Sequence, residues 1–409
     1  MAYNRAWTPR PRARGLVLDA IRAAGTISRV ELTDITGLTG ATISDTVRDL
    51  LGDGLVIETG RGASTGGKPR TLVQLNPPAR HSIGVQLERN TCVIVVIDLT
   101  GRPLARASFQ GASTMAPEQA LALVAAKVDD LLTEAAVDRT KLLGAGLVSY
   151  GPQDQEAGVL LTAQPTSQWQ NYPIAARLAG LLALPVVLDN DAAAAAIGES
   201  WVGPVDPRGT YGCLYMASGI GGAVMSAGQL YRGSTSNTVE IGHITVDING
   251  ERCTCGNIGC LENFAGPSVL LRQASAVPGL ARRIGLDTAG DTLSEFAKLT
   301  AAAGAGDAAA TDLLARSARY LGCAATTMTM LFDVDAIVLS GPGFTGAAAV
   351  YQAVIQDEVD HRTKAWRQRP VRVVSSANAS DAAAVGAAVL AMQSALTRRT
   401  TGEIKPPAQ

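Results

Sequence analysis

Apolar residues in the first eighty positions recur at helical spacing and then switch to alternation. Leu16, Val17 and Ile21 put one apolar stripe on a helix over about 14–24, which Gly25 ends. Ser28-Arg29-Val30-Glu31 has the form of a capping box, in which a hydroxyl and a carboxylate each satisfy an exposed amide at a helix start. A second helix therefore begins there and stops near Thr36-Gly37. After the turn Gly37-Leu38-Thr39, the residues Ile43, Val47, Leu50 and Leu51 fall on one face and predict a third helix over about 40–51. Asp53-Gly54 stops it. Residues 55–57 and 71–75 then read as two strands, with 58–70 (ETGRGASTGGKPR) between them as a flexible basic wing.

Beyond residue 78 the pattern is that of a repeated α/β unit. Segments 82–87, 91–99 and 102–109 read as three consecutive strands, with Gly101 turning the second hairpin. A helix follows over about 117–136, then buried strands at 143–148 and 185–188. Segments 210–216, 222–226 and 229–232, followed by helices and a strand at 336–339, repeat the scheme. The expected organisation is an N-terminal module over 1–78, a first lobe over 79–190 and a second lobe over 191–409. No apolar run approaches the roughly 18–20 residues that cross a bilayer.

Composition sharpens this reading. The 409 residues are 47% hydrophobic and 17% charged, as in a soluble protein, and abundant Ala and Gly imply helices packed closely through small side chains. The first fifteen residues are basic but carry no apolar stretch, so no signal peptide is expected, and the cytoplasm is the expected location. Net charge is only −1, yet residues 1–78 hold ten Lys/Arg against seven Asp/Glu, and the remainder is acidic. A locally basic helix-turn-helix with a wing is the pattern of a DNA reader. The third helix's exposed face carries Ala41, Thr42, Ser44, Asp45 and Arg48 as candidates for groove contacts. Arg29 heads the second helix, and Arg61, Lys68 and Arg70 lie on the wing, where they could follow the phosphate backbone. The plainer alternative is a trihelical protein-interaction module with a solvated hairpin.

Six cysteines include a tight trio. His243 is followed by Cys253-Thr-Cys255 and by Cys260, and one imidazole with three thiolates matches tetrahedral zinc. Gly256 and Gly259 let the loop curl so that the sulfurs converge. With four protein ligands the site would be structural, without an open position for hydrolysis. The alternative is three reduced cysteines in a loop. Asn190-Asp191, just past a strand end, lies where open α/β sheets place ligands. It also suits a helix cap before the run Ala192–Ala196.

At these residues the chain resembles the ROK family, which groups sugar-responsive repressors with sugar kinases. Over about 14–396 it is similar to the repressor branch: the segment 27–56, the GGKPR wing, Gly219-Ile-Gly221-Gly222, Gly233, Glu240-Ile-Gly242-His243 and the run of cysteines ending at Glu262 all fit. Val239 departs from the family, which favours a small residue there. The resemblance implies a winged helix-turn-helix followed by a two-lobed actin/hexokinase-like (ribonuclease H-like) body. It also implies a sugar site at Asn190, Asp191, Glu240, His243 and Glu262, with Asp191 at the position of the kinases' general base.

The kinases' first phosphate loop, of Asp-x-Gly-Gly-Thr type, is here Gln86-Leu87-Glu88-Arg89-Asn90-Thr91, without its acid or its glycines, and Glu88 would repel a phosphate. A second loop survives only partly, as Ser340-Gly341-Pro342-Gly343. The resemblance therefore implies a transcriptional regulator without catalytic residues, with structural zinc, a double-stranded DNA operator, a sugar effector and a homodimer or homotetramer. A kinase with an added DNA-binding segment is the alternative.

Overall fold

A computed structural model describes residues 13–61 and 70–398. The chain opens with α1 (Ala13–Ala24), β1 (Thr26–Ser28), α2 (Arg29–Thr36), α3 (Gly40–Gly52), β2 (Val56–Arg61) and β3 (Thr71–Leu75). The capping box forms as the sequence predicts: Glu31 N donates to Ser28 Oγ and Ser28 N donates to Glu31 Oε2. Gly37 ends α2 in the left-handed conformation at φ 68°. Val17, Ile21, Leu32, Ile43, Val47 and Leu50 are fully buried together. Strand β1 was not legible in the sequence. It is three residues long and exists only because it pairs with β3, giving the sheet order β1-β3-β2. The whole is a winged helix-turn-helix.

The body contains two sheets of one topology. The first holds β4 (His81–Leu87), β5 (Thr91–Asp98), β6 (Pro103–Gln110), β7 (Leu142–Ser149) and β10 (Val186–Asn190), in the order β10-β7-β4-β5-β6. Between them run α4 (Pro117–Glu134), the short pair β8 (Gln153–Asp154) and β9 (Val159–Leu160), and α5 (Ile174–Leu182). Helix α6 (Asp191–Val202) leads to the second sheet, built from β11 (Thr210–Met216), β12 (Ile220–Ser226), β13 (Gln229–Leu230), β14 (Ala336–Ser340) and β15 (Arg372–Ser375), in the order β13-β12-β11-β14-β15. Helices α7 (Glu262–Ala265), α8 (Pro267–Ala276), α9 (Leu280–Ile284), α10 (Thr292–Gly304), α11 (Ala308–Phe332) and α12 (Ala348–Thr363) belong to this half, and α13 (Ala382–Arg398) closes the chain. In each sheet a three-stranded antiparallel meander adds two parallel strands on the side of its first strand. The two sheets thus share one strand order, as the repeat in the sequence implied, although β15, which completes the second sheet, was not among the strands it predicted.

Helices α6 and α13 lie between the two sheets. Helix α6 packs on β11 and β12, and α13 returns to lie on β4 and β7. This close layer explains the Ala and Gly content. A Cβ on Gly84 would stand 1.8 Å from the Ala384 carbonyl oxygen, and one on Gly146 1.9 Å from that of Ala387. At the crossing of the helices, a Cβ on Gly386 would stand 1.7 Å from the Ala194 carbonyl oxygen. In an exposed helix, Gly→Ala stabilises by about 1 kcal/mol. Here the sign reverses: Gly386→Ala is expected to destabilise by about 1–3 kcal/mol or more through overpacking. Gly180→Ala on α5, with nothing within 4 Å, is the control expected to hold or raise stability. The midpoint of urea unfolding reads both. Among the described residues no helix is long and apolar enough to cross a membrane.

Candidate functional site

Strands β10, β7 and β4 are neighbouring and parallel, so their carboxyl ends form one edge. Such an edge is where open α/β sheets bind ligands. At the end of β10, the Asn190 side-chain oxygen accepts from Ala192 N at 2.9 Å and Ala193 N at 3.2 Å, capping α6. Asp191 is only 6% exposed, and its Oδ1 accepts from Ala192 N at 2.8 Å. Burial pushes its carboxyl up to about 6, with a smaller contribution from Glu240. The residue beneath them escaped the sequence reading. Asp189 is buried, accepts from Asn190 N at 2.8 Å and Gln155 Nε2 at 2.7 Å, and is ion-paired with Arg232. It fixes the strand-to-helix turn and ties β10 to the segment after β13. An acid directly before Asn190-Asp191 was visible in the sequence, but its partner lies 43 positions away.

The glycine-rich hairpin between β11 and β12 brings the other candidates in. A Cβ on Gly221 would stand 2.9 Å from Ala192 Cβ, and one on Gly219 would stand 2.8 Å from Glu262 Oε2. The Glu262 carboxylate accepts from Ile220 N at 3.0 Å. Asn190 and Glu240 line one cavity with Gly222, Tyr231 and Asn237. Partial loss of water raises the Glu240 carboxyl, with His243 opposing and Glu262 adding to the shift. Asn190, Asp191 and Glu240 thus meet at the start of α6, with His243 and Glu262 near enough to Glu240 to act on its charge. Val239, where the sequence departs from the family pattern, holds a left-handed φ of 59°. A β-branched residue in that conformation is strained, so the backbone that aims Glu240 is held by its surroundings rather than by local preference.

His243, Cys253, Cys255 and Cys260 meet on the far side of this segment, their ligand atoms all within 4.8 Å of one another. Cys253 Sγ lies 3.7 Å from His243 Nδ1, and Cys255 Sγ lies 3.6 Å from Cys260 Sγ. Tetrahedral zinc with bonds of roughly 2.0–2.3 Å requires ligand separations of about this size, so the four residues fit a metal ion. A metal on Nδ1 would leave the second ring nitrogen protonated and free to donate. Gly259, at φ 64°, has no room for a side chain, because a Cβ would stand 1.7 Å from the Asp247 carbonyl oxygen.

The segment 86–91 is folded in tightly. Glu88 is only 6% exposed, and Gln86 Nε2 donates both to its carboxylate and to the Tyr215 hydroxyl. Burial, with Asp191 adding to it, pushes the Glu88 carboxyl up to about 8. Asn90 Nδ2 donates to Asp291 Oδ1 at 2.7 Å, tying this turn to the cap of α10.

On α3, Ala41, Asp45 and Arg48 are exposed and Thr42 and Ser44 half-buried, so the face expected to look outward does so. Arg48 pairs with Asp45 at 2.8 Å, Ser44 Oγ donates to Gly40 O, and Arg29 reaches Glu58 at 3.2 Å. Arg70 is exposed at the start of β3. Lys68 and the Arg61 side chain lie outside the described residues. A contact absent from the sequence reading joins this module to the body. Arg22 on α1 donates to Trp201 O at 2.7 Å and Ser200 O at 3.2 Å, and its guanidinium sits 4.3 Å from the centre of the Trp201 ring. Trp201 ends the helix that Asp191 begins.

Fold and site together define a two-lobed sugar-kinase-like body carrying a winged helix-turn-helix. The chain belongs to the ROK family, whose model matches residues 82–394. It is 32% identical over 260 residues to the xylose repressor of Caldicellulosiruptor bescii, covering 63% of this chain and 64% of that protein. The chain thus spans just under two thirds of that relative's length. A ROK family transcriptional regulator described as a homologue of the E. coli MLC protein superposes with a TM-score of 0.71 at 24% identity, covering 94% of this chain and 97% of that one. A ROK family glucokinase from Streptomyces griseus, solved with glucose and AMPPNP, superposes with a TM-score of 0.64 at 26% identity, covering 76% of this chain and 99% of that one.

Proposed function

We propose that the protein is a sugar-responsive transcriptional regulator, in sense a repressor, in which a sugar held in the inter-lobe cleft alters binding of the winged helix to a double-stranded DNA operator. The observation that carries it is α6: Asn190 and Asp191 stand at its first turn, and the winged helix grips its last through Arg22. The repressor relative supports the same reading. Asp191 and Glu262 would accept from sugar hydroxyls, Glu240 would do so at the rim, and Asn190 and His243 would donate, an inventory that suits a polyol. Zn2+ on His243, Cys253, Cys255 and Cys260 would brace the segment that carries Glu240 and Glu262. Ala41, Thr42, Ser44, Asp45 and Arg48 would face the major groove, Asp45 and Arg48 exchanging their mutual pair for contacts to DNA. Arg29, Arg61, Lys68 and Arg70 would hold the phosphate backbone. Residues 1–78, 79–190 and 191–409 would be the three working units, in a cytoplasmic homodimer or homotetramer whose symmetry matches a palindromic operator.

No catalytic residue is assigned. Asp191 could take a proton from a hydroxyl, but the first phosphate segment offers Glu88 and no glycine, leaving ATP poorly held. Operator affinity, measured at one salt concentration with and without xylose, glucose and N-acetylglucosamine, tests the regulator reading. One sugar is expected to shift it 5- to 150-fold, the usual span of allosteric coupling, and Asp191→Asn to abolish the shift while leaving sugar-free operator binding intact. No shift with any sugar, or sugar-dependent ATP turnover above background, would overturn it.

A further inference from the structure

The carboxyl edge of the first sheet extends past Asp191. Neighbouring strands stand about 4.8 Å apart, so the ends of β10, β7 and β4 make a row about 10 Å long: Asn190-Asp191, then Ser149-Tyr150, then Gln86 to Glu88. The row is buried. Ser149 is fully buried, Gln86 is 3% exposed and Glu88 6% exposed. It also holds polar atoms without a protein partner, namely Gln86 Oε1 and Ser149 Oγ. Glu88 and Asp191 both act electrostatically on Tyr150 and on Tyr215, as the ends of neighbouring strands would. Buried polar atoms left unpaired beside a ligand site are the mark of contacts that the ligand completes.

We infer that Glu88, held by Gln86 and Tyr215, is the specificity-determining end of this pocket, accepting a hydroxyl-bearing carbon of an unphosphorylated sugar and excluding its phosphate ester. The inference rests on the effector reading above. A hydroxyl both donates and accepts, so it can donate its proton to the Gln86 oxygen while accepting from the Glu88 carboxyl group. A phosphate monoester at neutral pH is a dianion with acceptors only. Placed on the hydroxyl beside Asp191, it would meet a second carboxyl group at Glu88 instead of the glycines and backbone amides that cradle phosphates. The cation of this segment, Arg89, is exposed, and its guanidinium is taken up by the half-buried Tyr150 hydroxyl rather than by Glu88.

Calorimetric titration of the full chain with xylose, glucose, N-acetylglucosamine, glucose 6-phosphate and N-acetylglucosamine 6-phosphate tests this. A free sugar is expected to bind, and a 6-phosphate to bind about 100-fold more weakly than its parent, because a dianion would be buried there without the amides or cations that pair it. Glu88→Ala should narrow that gap at least tenfold by opening room for the phosphate and its water, and Glu88→Gln, of similar size and uncharged, should keep both the gap and most of the affinity for the free sugar. Thermal melts of both variants verify the fold. A phosphate ester that binds as tightly as its parent, or a gap unchanged in folded Glu88→Ala, overturns the inference and leaves the effector reading standing. No binding by any of the five ligands overturns both.

Discussion

Replacing Cys260 by Ser, or stripping the metal with a chelator, is expected to cost the protein its sugar response while leaving its grip on DNA. Within itself the loop 243–260 is held by hydrogen bonds, among them Val246 N to Gly259 O and Cys253 N to Asn257 O, both at 2.8 Å. Ile244 and Val246 pack on the core at its start, but Ile248 is 82% exposed and Ile258 42% exposed, so hydrophobic burial does not fix the rest of its course, whereas Cys260 is fully buried at the convergence of the four side chains. Structural zinc contributes on the order of 10–16 kcal/mol in small zinc-dependent folds, enough to decide whether such a loop is ordered. His243 lies three residues from Glu240, and Cys260 two residues from Glu262, so disorder in the loop would release both carboxylates from the cleft. Sugar affinity should fall about 10- to 100-fold, the scale seen when groups orienting a site are removed. Residues 13–75 carry their own core, and sugar-free operator affinity should persist. Metal content by atomic absorption, sugar titration and an operator shift assay together read the outcome. Unchanged sugar affinity in protein verified free of zinc would show that the loop does not brace the pocket.

Arg22→Ala is expected to separate two activities that the intact chain links. The variant should bind operator and sugar, each within about threefold of the parent because neither site is touched, yet sugar should no longer move operator affinity. The physical reason is the route. Asp191 occupies the first position of α6, and the Arg22 guanidinium is held by carbonyls and an aromatic ring at the end of that helix. Helix α6 is short and locked against α13 by the Gly386 contact, so it moves as a rod. A displacement at its N-terminus would be delivered to the winged helix through this clamp, and coupling requires such an element with two arrangements. Operator titrations with and without sugar, on both proteins, decide it. Full sugar response in the variant would place the coupling elsewhere.

Much of this molecule was legible before its structure. The capping box, the stripe on α3 and the His-Cys set all act between residues close in sequence, and each appears where the spacing put it; the first wing strand instead runs on to Arg61, into the segment read as flexible wing, because it pairs with β3. The repeated order of strands was legible for the same reason, because each meander is local. Glu88 was legible only as an obstacle to phosphate. Its burial in the row with Asp191 depends on β4 and β10 flanking β7, which no local pattern states.

By itself, then, the sequence determined the local elements, the convergence of His243 with the three cysteines and the family pattern at the cleft, because hydrogen-bond spacing, helical periodicity and side-chain chemistry operate over a few residues. Tertiary structure alone decided what joins them. Asp189 meets Arg232 across 43 positions, Arg22 meets Trp201 across 179, and α13 lies flush on Gly84 and Gly146. Such contacts follow from strand order and the close approach of backbones, which are properties of the packed chain rather than of any segment in it.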